Sequence, residues 1–391
     1  MPAFMSSSPT PDLLRAALPA PDAARARALA KPFRQNAVLA ALKAARSNPR
    51  FATPELSRYF RKTRSLGSRD RKAVQAAVFD IIRHEHFLIR TGARGDAELL
   101  AHWIRVLEGE RFDHLEPGRP AEDFATALSL GFRVAREWLD VLGPEEAARF
   151  AQEQAQRAPT VIRANRLLCT RDSLQARLHE EGVSTVPAPA APDALVVENR
   201  LPFTRLDSFK EGWFEVQDTS SQRFIEAIPL EDGQRVLDVC AGAGGKSLAL
   251  AARGARVRAW DIRDDALNEL EKRARRAQAP VTIGPPRPAP VVVVDAPCSG
   301  TGRLRREPAL RWRLEQDALL VDQQEILLEA SELVEPGGVL AYATCSLLEA
   351  ENNPTLPEAF HDAFELVDHT VLWPHRDHCD GFGWRIWRRA T

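Results

Sequence analysis

The sequence predicts an α/β protein built from an all-helical N-terminal part, a small α/β segment, and a doubly wound parallel sheet with helices on both faces. Three observations predict it. Between Phe33 and about Gln156 apolar residues recur at helical spacing. From Pro159 short β-branched runs surround a single helical stretch. From Ser221 strand and helix patterns alternate, the rhythm of βαβ units. A length of 391 residues allows two or three domains. The boundaries read as 1–30, 31–157, 158–220 and 221–391.

Residues 1–30, rich in Ala, Pro, Arg and Asp, are expected to form a mobile tail with a short helix at Ala23–Ala30. They lack the continuous apolar core of a signal peptide. In residues 31–157, Ser68 before Arg69-Asp70 predicts a helix start, and Val74, Val78, Ile81, Ile82 and Leu88 form its buried stripe. Further amphipathic stretches run through Glu98–Leu107, Ala121–Leu130 and Glu145–Gln156, punctuated by Gly131 and by Gly143-Pro144. Five to seven helices are expected. Nothing in them suggests catalysis, so they read as a docking or RNA-gripping module.

In residues 158–220 strands are predicted at Thr160–Arg163, Ala194–Val197 and Trp213–Val216, with a helix at Arg171–Glu181. Beyond Ser221, strands are predicted at Arg235–Val239, Arg256–Trp260, Val281–Ile283, Val291–Val294 and Gly338–Ala343. Helices are predicted at Lys246–Arg253, Asp264–Gln278 and near Glu315–Val334. In such sheets the ligand crevice lies at the carboxyl ends of the strands.

Those strand ends carry the chemistry. The first strand runs into Cys240-Ala241-Gly242-Ala243-Gly244-Gly245-Lys246-Ser247, which opens a helix. The spacing before Gly-Lys-Ser is too short for a phosphate-binding Walker loop. Asp261 ends the next strand, at the offset of a ribose-binding acid; a cap on the following helix is the alternative. Alone, the loop suits a dinucleotide, S-adenosylmethionine or a tight turn. Its departure from G-x-G-x-x-G favours S-adenosylmethionine, as do two thiols unsuited to hydride transfer, in Pro297-Cys298-Ser299 and Thr344-Cys345-Ser346. Cys169, Cys240 and Cys379 read as space-filling. Five sparse cysteines without a CxxC pair or zinc spacing point to a reducing, cytoplasmic compartment and no metal. No apolar run is long enough to span a bilayer.

Taken together, Asp295-Ala296-Pro297-Cys298-Ser299-Gly300-Thr301-Gly302, Ala343-Thr344-Cys345-Ser346 and the loop Cys240–Ser247 resemble the RNA cytosine-5 methyltransferases of the Nop/Sun family. Phe214-Glu215-Val216-Gln217-Asp218, Asn165, Glu351-Asn352 and Asp380-Gly381-Phe382 extend the match. The helical part, with Ser68-Arg69-Asp70-Arg71 and Arg83, resembles the NusB-like domain of bacterial members, which methylate small-subunit ribosomal RNA. The resemblance implies a Rossmann-like S-adenosylmethionine-dependent methyltransferase sheet. It makes Cys345 the nucleophile and gives Cys298 a role in product release. Asp295 and Lys246 serve the target base in this scheme. Cys240, Ala241, Gly242, Ala243, Gly244, Gly245, Lys246, Asp261, Arg263 and Asp295 line the cofactor.

With a net charge of −1 the chain is no polycation, so RNA contact must come from local clusters. The run of Arg303, Arg305, Arg306, Arg311 and Arg313 with Trp312 adjoins the first thiol and is expected to contact RNA. Arg163, Asn165 and Arg166 are further expected contacts. The partner is a single-stranded or looped RNA, and the protein is expected to act as a monomer without membrane association. The sequence departs from the family where Val281-Thr282-Ile283 runs into Gly284-Pro285-Pro286-Arg287-Pro288 without the usual acid, so adenine recognition must differ. A non-catalytic RNA-binding or ribosome-assembly factor on the same fold is the rival reading.

Overall fold

Helical periodicity in the first part produces eight α-helices among the described residues: Ala23–Leu29, Pro32–Arg46, Ala52–Lys62, Ser68–Arg83, Glu85–Arg90, Asp96–Glu108, Pro120–Leu128 and Phe132–Ala155. The computed structural model describes residues 11–199, 202–314 and 319–391. One compact unit comprises the chain as far as Arg157 and a returning segment that begins at Arg303. The second comprises Ala158–Gly302 and the remainder of the chain.

The helical unit buries the predicted stripe of Val74, Val78, Ile81 and Ile82 against Val38, Leu42 and Trp103. The expected mobile tail is corrected from residue 11 onward. Leu14, Ala26 and Leu29 are buried in this core, and Asp22 caps its helix by accepting from the Arg25 N–H. Residues 1–10 lie outside the described residues. Ser68 is the first helical residue and not the cap, a place taken by Gly67. At Gly143 a φ of 69° breaks helix Phe132–Ala155 before Pro144, a conformation glycine adopts without steric cost.

The second unit holds two sheets. Strands β1 (Thr160–Ala164), β2 (Thr185–Pro187), β3 (Ala194–Val197) and β4 (Phe214–Val216) form an antiparallel sheet in the order β2-β3-β1-β4. Helix Arg171–Glu180 covers it, started by a Thr170–Ser173 capping box.

The larger sheet contains β5 (Arg235–Asp238), β6 (Arg256–Ala259), β7 (Val281–Ile283), β8 (Ala289–Asp295), β9 (Val334–Thr344), β10 (Phe364–Leu372) and β11 (Phe382–Arg389), ordered β10-β11-β9-β8-β5-β6-β7. The five strands β5 to β9 pair in parallel. The expectation of a wholly parallel sheet is corrected at one edge, where β11 pairs antiparallel with β9 and β10 with β11. Trp384, Ile386 and Trp387 are buried there, on a strand whose aromatic and arginine residues obscure its period. Val236, Val257, Val291 and Val293 face helices Thr219–Ala227 and Gly245–Ala252. Leu237, Val292, Val294 and Leu340 face helix Leu319–Glu332. The start of that helix, expected near Glu315, falls partly outside the described residues. Between β7 and β8 the chain crosses the sheet on Gly284–Pro288 alone, where a parallel crossover ordinarily carries a helix.

Candidate active site

Parallel pairing of β8 with β9 sets Asp295 level with Ala343, so the two thiol loops leave the sheet side by side. Cys298 follows Asp295 by three residues and Cys345 follows Ala343 by two. Their sulfurs lie 3.3 Å apart.

Backbone bonds lace the two loops together. The Gly302 N–H donates to the Cys345 carbonyl at 3.0 Å, and the Gly381 N–H donates to the Gly302 carbonyl at 2.9 Å. A Cβ at either glycine would collide with the other's backbone, so Gly302 and Gly381 permit an approach that no other residue allows. Thr301 Oγ1 accepts from the Leu347 N–H at 2.8 Å. Glu351, only 2% exposed, accepts from the Ser299 N–H at 2.8 Å and from Ser299 Oγ at 2.6 Å. Asn352 Oδ1 accepts from Thr344 Oγ1 at 2.7 Å, and Asn352 Nδ2 donates to the Ser346 carbonyl at 3.1 Å.

The hydrogen bond with Cys345, then burial, then the negative charges of Cys345 and Glu351 push the Cys298 thiol well above the ordinary cysteine range. Cys298 therefore keeps its proton and can donate it to a Cys345 thiolate. Burial, followed by Asp238, Asp295 and Asp261, pushes Cys240 up to about 12, so it remains a thiol.

The glycine loop adjoins this edge. Gly242 and Gly244 adopt φ of 53° and 84°. A Cβ at Gly244 would strike the Leu270 side chain. The Gly242 N–H donates to Asp261 Oδ2 at 2.8 Å, and the Arg263 N–H and Nε donate to Asp261 Oδ1. Burial alone would raise the Asp261 pKa, but these bonds outweigh it and hold it below the ordinary value. Asp261 is thus tied to the loop, and the helix that follows is capped at Arg263 without a side-chain bond. Lys246 Nζ donates to Asp295 Oδ2 at 2.5 Å and lies 5.2 Å from the Phe382 ring centroid. The loop, Asp261, Lys246, Asp295 and both thiols are all on the second unit.

The sequence alone does not say what several supports do. Beneath the loop, Arg273 Nη1 donates to the Ala243 carbonyl at 2.6 Å while pairing with buried Glu215, which also pairs with Arg276. Gln217 donates to the Gly245 carbonyl and accepts from Arg163. Ser247 Oγ donates to buried Asp238 at 2.6 Å. Ile262, beside Asp261, is 85% exposed, an apolar face open to a ligand. An open groove of about 810 Å³ between helix Asp264–Ala277 and β7 contains none of the thiol or loop residues.

The expected RNA contacts divide. Arg305 and Arg311 are 2% and 5% exposed and belong to the helical unit. Arg305 pairs with Glu153. Arg311 donates to the carbonyls of Leu128 and Leu304 at 2.7 and 3.0 Å, and burial, then Arg83, lowers its pKa to about 9. Trp312 Nε1 donates to Glu85 at 2.8 Å, with the Arg46 guanidinium over its ring. These three are corrected: they clip the returning segment to the helices. Arg303 pairs with Glu307 and stays half-exposed, and Arg306 is partly buried. Arg163 is buried against Gln217. Asn165 is buried too and donates to the carbonyls of Gly212 and Ala277, so both are corrected to internal struts. Arg166 pairs with Asp193 and Glu226. Among the described residues no cluster of metal-ligating side chains occurs, and no helix is long and apolar enough to cross a membrane.

Residues 226–383 match the family described as 16S rRNA methyltransferase RsmB/F, and residues 135–204 match the ferredoxin-like domain of the same family. That second match takes in part of helix Phe132–Ala155 with the small sheet. Ribosomal RNA small subunit methyltransferase B of Salmonella arizonae is 35% identical over 252 residues, covering 59% of this chain and 58% of the relative. The Erwinia tasmaniensis protein of that name is 34% identical over 275 residues, covering 64% and 63%. The chain therefore spans about three fifths of the length of these relatives. The crystal structure of PH0851 shares the fold, with a TM-score of 0.71 at 20% identity, over 98% of this chain and 99% of that one. NSun6 from Pyrococcus horikoshii, crystallised with SFG, gives 0.57 at 19% identity, over 66% of this chain and 97% of that one. On the two matched segments, the chain belongs to the RsmB/F methyltransferase family.

Proposed function

We propose that the protein transfers a methyl group from S-adenosylmethionine to carbon 5 of a cytosine in RNA, with small-subunit ribosomal RNA as the substrate. The observation that carries this reading is the Cys298–Cys345 sulfur pair at 3.3 Å, beside the Asp295–Lys246 ion pair at 2.5 Å. Cytosine carbon 5 is a poor nucleophile. The Cys345 thiolate adds to carbon 6, the ring double bond becomes an electron pair at carbon 5, and the step is thereby divided in two. Asp295, held by Lys246, accepts from the exocyclic amine of the base. Cys298, kept protonated, donates to the Cys345 sulfur before addition and again as the sulfur leaves. After carbon 5 has taken the methyl group, its proton passes to water, the C–H pair restores the ring double bond, and the sulfur–carbon pair returns to Cys345.

The donor site suits S-adenosylmethionine. Its sulfonium supplies a methyl group without its electron pair. Asp261 retains lone pairs for a ribose diol, Ile262 offers an apolar face to an adenine, and the loop at Gly242–Gly244 allows close backbone approach.

Cys345→Ala is expected to abolish 5-methylcytosine formation. Cys298→Ala is expected to accumulate a protein–RNA adduct that survives denaturing electrophoresis. Full activity in Cys345→Ala would refute the assignment. A binding-only protein is the second reading, favoured by the missing acid after Ile283; calorimetry showing no S-adenosylmethionine binding would select it.

A further inference from the structure

With Arg305 and Arg311 buried, the solvent-facing cations of the helical unit lie elsewhere. Between Arg27 and Lys72 the sequence holds thirteen Lys and Arg residues against two acids, Glu55 and Asp70, in a chain of net charge −1. The densest part is the corner between helices Ala52–Lys62 and Ser68–Arg83. Arg61, Lys62, Arg64, Arg69 and Lys72 are all exposed there, and none forms an ion pair among the described residues. The acids nearest in sequence are already engaged, Asp70 by Arg34 at 2.6 Å and Glu55 by Arg58 at 2.5 Å.

Arg71 holds the corner in one shape. Its Nε donates to the Leu66 carbonyl at 2.9 Å and its Nη2 to the Thr63 carbonyl at 3.1 Å. Thr63 Oγ1 donates to the Tyr59 carbonyl, and Leu66 is buried in the core. The cations therefore stand on an ordered turn. No large apolar side chain is exposed between Tyr59 and Ala73, so the corner lacks the greasy face by which amphipathic segments enter membranes.

We propose that the corner formed by Arg61, Lys62, Arg64, Arg69 and Lys72 binds the phosphate backbone of the substrate RNA. The proposal rests on the RNA reading above and moves the contact surface from the run after Cys298 to another part of the helical unit. Three guanidinium forks and two ammonium groups suit phosphate oxygens without reading base sequence. Binding of this kind releases counterions, so affinity must fall steeply with salt.

The test is a fluorescence-anisotropy titration of the full chain with a fluorescein-labelled polyuridine RNA over a range of KCl concentrations. Five phosphate contacts on a single strand predict a slope of log affinity against log salt of about −3.5. Changing all five residues to Gln should flatten most of that slope and weaken low-salt binding at least about tenfold. The conservative set Arg61→Lys, Arg64→Lys and Arg69→Lys should keep the slope. Circular dichroism on each variant checks that the helices persist. Wild-type affinity and slope in the Gln variant would overturn the corner while leaving the RNA reading intact. No salt-dependent RNA binding by the unaltered chain would overturn the RNA reading itself. Binding of polyglutamate as tightly as RNA would overturn the corner as an RNA surface, because an acidic protein would then be the better partner.

Discussion

Cys298 and Cys345 are chemically alike in sequence, yet in the folded chain the hydrogen bond with Cys345, then burial, then the charges of Cys345 and Glu351 push Cys298 well above the ordinary cysteine range. Asp238 shows the same dependence on surroundings. It is fully buried, its carboxylate accepts only from Ser247 among the described residues, and its pKa is raised to about 7, chiefly by burial, against an ordinary 3.8. Between those values the folded chain holds a proton that the unfolded chain has released. Stability therefore falls as pH rises from 4 toward 7, by about 1.4 kcal/mol per unit, and stays reduced above 7. Asp238→Asn keeps an acceptor for Ser247 and removes the charge. Its urea midpoint should exceed the wild type's at pH 8 and approach it near pH 4; parallel pH profiles would contradict this. Gly302→Ala, by contrast, drives the loop that carries Cys298 off the turn before β11, since the Gly381 carbonyl occupies the new Cβ position. Methyl transfer should fall at least about tenfold, a barrier rise near 1.4 kcal/mol, while S-adenosylmethionine affinity measured by calorimetry stays unchanged.

Among elements, the short helix Glu349–Asn352 acts as a brace for the loop that carries Cys298. Glu351→Ala leaves the Ser299 N–H unsatisfied, at a cost of about 1–3 kcal/mol if it stays buried, while Ser299 Oγ keeps Thr301 and Ser346 as partners. Single-turnover kinetics should show slower methylation with little change in RNA affinity. The returning segment from Arg303 is an element of the helical unit held by polar anchors. Arg311→Ala strands the Leu128 and Leu304 carbonyls and should lower helical-unit stability by about 2–4 kcal/mol, read as a drop in thermal midpoint. An unchanged midpoint would show that water replaces the guanidinium.

At the scale of the molecule, the loop, the sheet edge and both thiols share one unit, and the exposed cations of the corner belong to the other. A ligand that binds only the folded second unit stabilises it by about 2.7 kcal/mol at a hundredfold excess over its dissociation constant. S-adenosylmethionine should therefore slow hydrogen exchange at Gly242–Lys246 and Asp261–Arg263. The corner from Arg61 to Lys72 should instead gain protection from RNA. Protection of the corner by the cofactor alone would contradict this division of labour.

The sequence by itself determined the alternation of strands and helices and the placing of both thiols, the glycine loop and Asp261 at strand ends. Burial period and turn residues are local signals, and these features depend on little else. Only the tertiary structure decided which arginines face water. Arg305, Arg311 and Arg163 look on paper like Arg61 and Arg64, but their partners, Glu153, the Leu128 carbonyl and Gln217, come from distant parts of the chain. The hairpin β10–β11, the contact of Gly302 with Gly381 and the raised Cys298 thiol were hidden for the same reason: each arises from long-range neighbours that no local period records.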